Sequence, residues 1–131
     1  MKVLIADDDH VYRSFIRRLL ARDTDVDVVG EATDGEQAVS LSERLKPDVV
    51  LMDLDMPGVD GLEATRRLKE GGGTTRVIMV SNLADEACRQ AAARCGADGF
   101  FLKSAEISHL MSAIRQGFQR RKPLGYPETC G

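Results

Sequence analysis

The residues of this chain best suited to chemistry are acids, a hydroxyl and a lysine that each follow a short apolar run. In chain order they are Asp7, Asp8, Asp53, Ser81 and Lys103. Neighbouring carboxylates resist joint ionisation unless a cation lies among them, and Mg²⁺ meets that need with an octahedral oxygen shell. A carboxylate can also act as a nucleophile and form an acyl phosphate. Because phosphoryl transfer needs mainly positioning and charge neutralisation, a lysine and a hydroxyl donor complete the set. The set predicts a site that accepts a phosphoryl group.

Five apolar runs come before these residues or between them, at 3–6, 26–29, 49–52, 77–80 and 100–102. Four of the runs are continuous, which is typical of parallel strands covered on both faces. Asp27 interrupts the second run, which therefore resembles an edge strand. Helix-length segments separate the runs, so the order is βαβαβαβαβα. This order predicts a parallel sheet with right-handed crossovers and helices on both faces. The carboxyl ends of its strands would bring the polar residues together.

Periodicity and capping signals place the helices. In the first helix Val11, Phe15 and Leu19 recur every four residues, and they predict its buried face together with Ile16 and Leu20. Asp9 is suited to capping this helix. The segment 33–36, Thr-Asp-Gly-Glu, can form a capping box at the second helix. Gly96 stands where a left-handed residue would end the fourth helix.

With these motifs in place, the sequence resembles the receiver domains of two-component response regulators. The matching phrases are VLIADD near the N-terminus, VVLMDLDMPGVDGLEA around Asp53, VIMVSN at Ser81 and GADGFFLK ending at Lys103. They cover residues 2 to about 118, and they look most like the subgroup often joined to helix-turn-helix DNA-binding domains. The resemblance implies an α/β, doubly wound, flavodoxin-like fold with a five-stranded parallel sheet in the order 2-1-3-4-5. Residues 1–119 would form the receiver domain, and residues 120–131 a C-terminal tail or the start of a linker.

The resemblance also implies roles for individual residues. Asp53 would be the phosphoacceptor. Asp8 would bind Mg²⁺ directly, together with Asp53, and Asp7 would act through water. The backbone carbonyl of Asp55 would supply another ligand, and Lys103 would contact a phosphoryl oxygen and the Asp53 carboxylate.

Two further residues take switch positions by the same resemblance. Ser81 would donate a hydrogen bond to the phosphoryl group and move toward it. Phe100, three residues before the lysine, would rotate inward with Ser81, although an ordinary core role explains a phenylalanine there equally well. Such a change is a two-state shift driven by contacts to phosphate.

The implied partners are a sensor histidine kinase or histidine phosphotransferase, and either a downstream protein target or a C-terminal output domain beyond this chain. A homodimer formed on phosphorylation is a further expectation. The net charge of −3 is too mild to favour nucleic acid as a partner. No run is long enough for a membrane span, and the unpaired cysteines favour the cytoplasm. The expected protein is a signalling switch and not a metabolic enzyme.

Three alternatives stay open. Asp53-Leu54-Asp55 also looks like the Asp-x-Asp signature of haloacid dehalogenase phosphatases, but that family places this signature on its first strand and its acidic pair late in the chain. A binding module that works without phosphorylation would keep the same fold. A flavin or nucleotide binder would need a glycine-rich loop after the first strand, where this chain has three acids.

Overall fold

A computed structural model describes residues 1–83, 85–104 and 107–116 of the chain, in which strands and helices alternate. The predicted tail at 120–131 and its boundary at 119 lie outside the described residues. The elements are β1 (Lys2–Ala6), α1 (His10–Leu20), β2 (Asp27–Ala32), α2 (Gly35–Leu45), β3 (Val49–Asp53), α3 (Gly61–Glu70), β4 (Arg76–Ser81), α4 (Glu86–Arg94), β5 (Gly99–Leu102) and α5 (Ile107–Gln116).

The strands form one parallel sheet in the order β2-β1-β3-β4-β5, which confirms the predicted fold class. β3 lies at the centre, where Leu51 pairs with Ile5 on one side and with Ile78 on the other. β2 is an edge strand, as the interrupted apolar run predicts, but it extends to Ala32 instead of ending at residue 29. The extension carries the edge of the sheet to the level of Asp7, whose amide donates to the Ala32 carbonyl at 2.9 Å.

The core has two parts, one on each face of the sheet, because alternate strand residues point to opposite sides. Leu51 and its neighbours on one face pack against Ile16 of α1 and Ile114 of α5. Met52 and its neighbours on the other face pack against α2, α3 and α4, whose fully buried apolar side chains are Ala38, Ala64 and Ala92. Burying a large apolar side chain such as Leu51 or Met52 contributes about 1.5–3 kcal/mol. A sheet covered on both faces leaves its carboxyl edge as the place where polar groups meet.

The predicted buried face of α1 is confirmed for Ile16 and Leu20, and Leu19 packs on the same cluster, but the prediction is wrong for Val11 and Phe15. Val11 is 74% exposed and Phe15 is 48% exposed, whereas Ile16 and Leu20 are fully buried. Tyr12, which precedes Ile16 by one turn, packs on the same cluster. The sequence offers two series of apolar residues on α1, at 11-15-19 and at 12-16-20, and periodicity alone does not show which one faces the core. Packing against the sheet buries the second series more completely.

The caps follow the sequence signals with one correction. Asp9 caps α1 and accepts hydrogen bonds from the amides of the first turn. The capping box predicted at α2 is wrong by one residue, because Asp34 is the cap and accepts from the Gln37 amide. The Gln37 side chain in turn accepts from the amide of Thr33, the residue before the cap, at 3.0 Å. Gly96 ends α4 at a φ of +94°, as predicted, and its neighbour Ala97 closes the motif with a hydrogen bond to Ala92.

The start of α3 packs directly on the end of β3. The Gly61 amide donates to the Leu54 carbonyl at 3.0 Å, and a Cβ at position 61 would lie 2.1 Å from the Asp53 carbonyl oxygen. Only glycine permits so close a contact between two backbones. The backbone on both sides of Asp53 is thereby fixed.

Among the helices of the described residues, none combines the length and the apolar character needed to cross a membrane.

Candidate functional site

The polar residues named from the sequence lie at the carboxyl edge of the sheet. Asp7 follows β1, Asp53 ends β3, Ser81 ends β4 and Lys103 follows β5 directly. Two backbone hydrogen bonds join the chain to β4 at this edge. The Lys103 amide, after β5, donates to the Ser81 carbonyl at 2.8 Å, and the Leu54 amide, after β3, donates to the Val80 carbonyl at 3.0 Å. The edge is therefore a fixed platform for the side chains.

Three carboxylates form the centre of the site. Asp7, Asp8 and Asp53 each offer one oxygen, and these oxygens all lie within 4.8 Å of one another. Asp7 and Asp53 are buried, whereas Asp8 is exposed. Hard carboxylate oxygens with one open side fit Mg²⁺, which binds few carboxylates and keeps several waters. Asp8 and Asp53 could bind such an ion directly while water occupies the open side.

Lys103 is the cation that the structure places among these acids. Its Nζ lies 2.8 Å from Asp7 Oδ2, an ion pair without the alignment of a good hydrogen bond, and 3.6 Å from Asp53 Oδ1. The predicted contact with Asp53 is present, but Asp7 is the nearer partner. Burial alone would lower the pKa of Lys103, but the close contact with Asp7 and the negative charges of both acids outweigh burial and raise it.

The charge of Asp53 is only partly compensated. Burial first, and then the charge of Asp7, raise its pKa from 3.8 to about 8, whereas Lys103 acts in the opposite direction. Burial disfavours the ionised form of a carboxyl group, and a nearby positive charge stabilises that form. The arrangement therefore favours binding a cation next to Asp53.

The loop after β1 is held by hydrogen bonds that leave the outer carboxylate oxygens available. Asp7 Oδ1 accepts from the Asp9 amide at 2.8 Å. Arg13 donates to the Asp7 carbonyl at 2.8 Å, and its Nε pairs with Glu31 at 3.1 Å. Arg17 contacts the same glutamate. These bonds tie the acid-bearing loop to α1 and β2.

Ser81 is fully buried at the end of β4. Its Oγ accepts a hydrogen bond from the Leu83 amide at 3.1 Å, and a hydroxyl that accepts one hydrogen bond can also donate its own proton to another group. Its role toward a phosphoryl group stays a prediction. Asp55 is exposed, and its amide donates to Asp53 Oδ1 at 3.3 Å. The use of its carbonyl as a ligand also stays a prediction.

Phe100 lies in the core and is 1% exposed, so the ring is already inside in this structure. The Arg89 guanidinium carbon lies 5.1 Å from the centre of the ring. An inward rotation, as predicted for a switch, would have to start from another conformation. The core role is the one that this structure displays, and the switch role stays a prediction.

Tyr12 is a neighbour of the site that the sequence interpretation missed. Lys103 Nζ lies 4.7 Å from the centre of its ring. Burial, and then the charges of Asp7 and Asp53, raise the pKa of its phenol to about 12. The spacing of Tyr12, Ile16 and Leu20 was the available signal, because that face of α1 packs on the sheet beneath the acids.

The residues that form this fold and site also match known proteins. The model of the response regulator receiver domain matches residues 3–115. Among curated proteins, the response regulator GacA of Pseudomonas aeruginosa is 41% identical over 118 residues, which are 90% of this chain and 55% of GacA. The nitrate/nitrite response regulator protein NarL of Escherichia coli is 39% identical over 114 residues, or 87% of this chain and 53% of that protein. The chain thus spans about half the length of these relatives.

Solved structures give the same result. The signal receiver domain of the putative response regulator NarL from Mycobacterium tuberculosis superposes with a TM-score of 0.88 at 33% identity, covering 92% of this chain and 97% of that one. The isolated REC domain of RcsB from Salmonella enterica, solved with the phosphomimetic BeF₃⁻, gives a TM-score of 0.85 at 27% identity, covering 98% and 94%.

Proposed function

The chain belongs to the response regulator receiver domain family, and on this basis we propose that Asp53 accepts a phosphoryl group and thereby acts as a switch in signalling. Proteins of this family are signalling proteins and not metabolic enzymes. The observation that carries the proposal is the convergence of Asp7, Asp8 and Asp53 within 4.8 Å, with Lys103 beside them.

The proposed reaction is a direct transfer. An oxygen of the Asp53 carboxylate forms a bond to phosphorus while the bond between phosphorus and the imidazole nitrogen of a phosphohistidine breaks, and the electron pair leaves with that nitrogen. Lys103, already within 3.6 Å of Asp53, would pair with the negative oxygens of the phosphoryl group. The Ser81 hydroxyl would donate its proton in a hydrogen bond to the same group.

The acids account for the cofactor. Receiver domains typically bind Mg²⁺ at an acidic cluster, and we assign Asp8, Asp53 and the Asp55 carbonyl as ligands, with Asp7 acting through water. The ion would supply positive charge next to the transferred group.

The partners follow from the reaction and from the relatives. The donor would be a sensor histidine kinase or a histidine phosphotransferase, meeting this domain in the cytoplasm. One solved relative is described as a DNA-binding response regulator of the LuxR family from Staphylococcus aureus. We propose that the output passes either to a domain that follows residue 119 or to a separate protein, and that the phosphorylated domain dimerises.

The test is intact-mass measurement after incubation with Mg²⁺ and acetyl phosphate. The parent protein should gain about 80 Da, the mass of one phosphoryl group, and the gain should disappear with a chelator. Asp53→Asn should show no gain. Asp27→Asn, which changes an exposed acid at the start of β2, is the matched control and should behave as the parent does.

Two results would contradict the proposal. A gain that persists in Asp53→Asn would mean that another acid is the acceptor. A parent protein that takes no phosphoryl group from acetyl phosphate or from a phosphohistidine donor would instead be a binding module that works without phosphorylation.

A further inference from the structure

We propose that Tyr12 is a positioning residue that holds Lys103 beside the acids through the face of its aromatic ring. The inference rests on the proposed function, since it concerns the lysine that would meet the phosphoryl group. It begins from the distance of 4.7 Å between Lys103 Nζ and the centre of the Tyr12 ring.

Lys103 needs more than one contact to stay in place. A lysine ammonium is a point charge on a flexible four-carbon stem, and it has no planar shape that would fix its direction. Asp7 contacts the ammonium at 2.8 Å, and the Tyr12 ring supplies a second contact at 4.7 Å. A cation within about 6 Å of a ring centre is attracted by the ring's electron density, and most strongly where water is excluded. The Lys103 side chain is only 10% exposed, so this attraction is little weakened by solvent.

The ring, and not the hydroxyl, is the part of Tyr12 that interacts. Within the described residues its buried hydroxyl oxygen has no hydrogen-bond partner. Removing a buried polar atom that lacks a partner costs little and can even stabilise a protein. Tyr12→Phe should therefore keep the function of the side chain, whereas Tyr12→Leu should lose it while keeping an apolar group against the core.

Without the ring, Lys103 would spend part of its time away from the position in which it meets the phosphoryl oxygens. Substrate entry would not change, but fewer encounters would be productive. With saturating Mg²⁺ and varied acetyl phosphate, we expect Tyr12→Leu to lower the maximum rate of phosphorylation about three- to tenfold and to leave the KM for the donor within about twofold. Tyr12→Phe should stay within about twofold of the parent in both.

Phe15→Leu is the matched control, because it makes a similar aromatic-to-leucine change one turn further along α1, at a half-exposed position. It should leave the rate unchanged. Equal loss in Tyr12→Phe and Tyr12→Leu would overturn the proposal in favour of the hydroxyl. A parent rate in Tyr12→Leu would also overturn it, and so would a loss confined to KM.

A second measurement does not depend on phosphorylation. Lys103→Met is introduced into the parent, Tyr12→Phe and Tyr12→Leu proteins, and the denaturant midpoint of each is compared by a double-mutant cycle. The shift caused by Lys103→Met should be the same in the parent and Tyr12→Phe and smaller in Tyr12→Leu. Equal shifts in all three would overturn the proposal. A parent protein that fails to take a phosphoryl group would contradict the proposed function alone, and this cycle would still decide the role of Tyr12.

Discussion

The two ends of the central sheet both place acids beside basic side chains, but they balance the charges in opposite ways. At the amino end Asp98 precedes β5 and lies among two cations: Lys69 Nζ contacts its Oδ2 at 2.7 Å, and Arg76 contacts its Oδ1 at 3.6 Å. The amide of Val77 also donates to Asp98, at 2.9 Å. The negative charge of Asp98 is thus compensated by two cations and by a hydrogen bond from an amide.

At the carboxyl end the ratio is reversed. Among the described residues, the carboxylates of Asp7 and Asp53 both form ion pairs with the ammonium of Lys103, and the exposed Asp8 adds a third negative group. Burial first, and then the charge of Asp7, raise the pKa of Asp53 in spite of Lys103. Similar residue types can therefore build either a structural cluster or a reactive site. The cluster is complete by itself, whereas the site gains stability when a cation is added.

The largest expected effect comes from removing the lysine at each end. Lys103→Met should lower the rate of phosphorylation by acetyl phosphate about 100-fold, because one positioned positive group is lost from the transition state. Lys69→Met should leave that rate within about twofold and should cost about 1–3 kcal/mol of stability, since Asp98 loses its nearest cation. Phosphorylation rates and urea unfolding of both variants give the measurement. Similar losses of phosphorylation rate in both variants would contradict the assignment of the reactive site to the carboxyl end.

Replacing an aspartate by asparagine should change the free energy of unfolding in opposite directions at the two ends. Asp98→Asn should lower the free energy of unfolding by about 2 kcal/mol, because cations and an amide lose a charged partner. Asp53→Asn should raise it by about 2 kcal/mol at pH 7 without Mg²⁺, because at this pH the folded state must hold a proton on Asp53 that the unfolded state has released, and asparagine removes that cost. Urea unfolding in the presence of a chelator measures both. Destabilisation by Asp53→Asn would show that its charge is already compensated.

The pH dependence should come from the carboxyl end. The pKa of Asp53 is raised from 3.8 to about 8, so across that interval the folded state keeps a proton that the unfolded state has released. The contribution of Asp53 to stability should therefore fall as the pH rises from about 4 to about 8 and level off above that. Comparing metal-free unfolding curves of the parent and Asp53→Asn isolates this contribution. Parallel curves for the two proteins would contradict the assignment.

The smallest effect is that of the ion itself. At about ten times its Kd, Mg²⁺ should stabilise the parent by about 1.4 kcal/mol, because it binds the folded acids and not the unfolded chain. Asp8→Asn should lose most of this gain, whereas Asp98→Asn should keep it. Thermal unfolding with and without Mg²⁺ is sufficient. Equal gains in both variants would place the ion somewhere other than the carboxyl end.

Much of this arrangement could be predicted from the sequence, because the relevant signals are local or repeat along the chain. Continuous apolar runs indicated buried parallel strands, and polar residues after those runs indicated which edge would hold the site. Asp53 and Lys103, 50 residues apart in sequence, meet only because β3 and β5 are parallel strands of one sheet. The resemblance supplied the strand order, which local patterns do not contain.

What the sequence left undecided depends on packing. Two interleaved apolar stripes on α1 were equally good by periodicity, and only the surface beneath the helix selected Ile16 over Phe15. The same ambiguity hid Tyr12 from the sequence interpretation. The nearer partner of Lys103, Asp7, could not be foreseen either, since a choice between two acids a few ångströms apart depends on side-chain geometry.

The close contact between Gly61 and the Asp53 carbonyl has a consequence for genetics. A side chain at position 61 would push α3 away from the end of β3 and displace the backbone that carries Asp53. In a saturation screen for signalling mutants, every substitution at Gly61 would therefore be scored as loss of function, like substitutions of the acids themselves. Gly73, which has open space around its Cα, would tolerate the same changes. A map of mutational tolerance would thus show Gly61 to be as intolerant as the residues of the site, although Gly61 takes no part in the reaction.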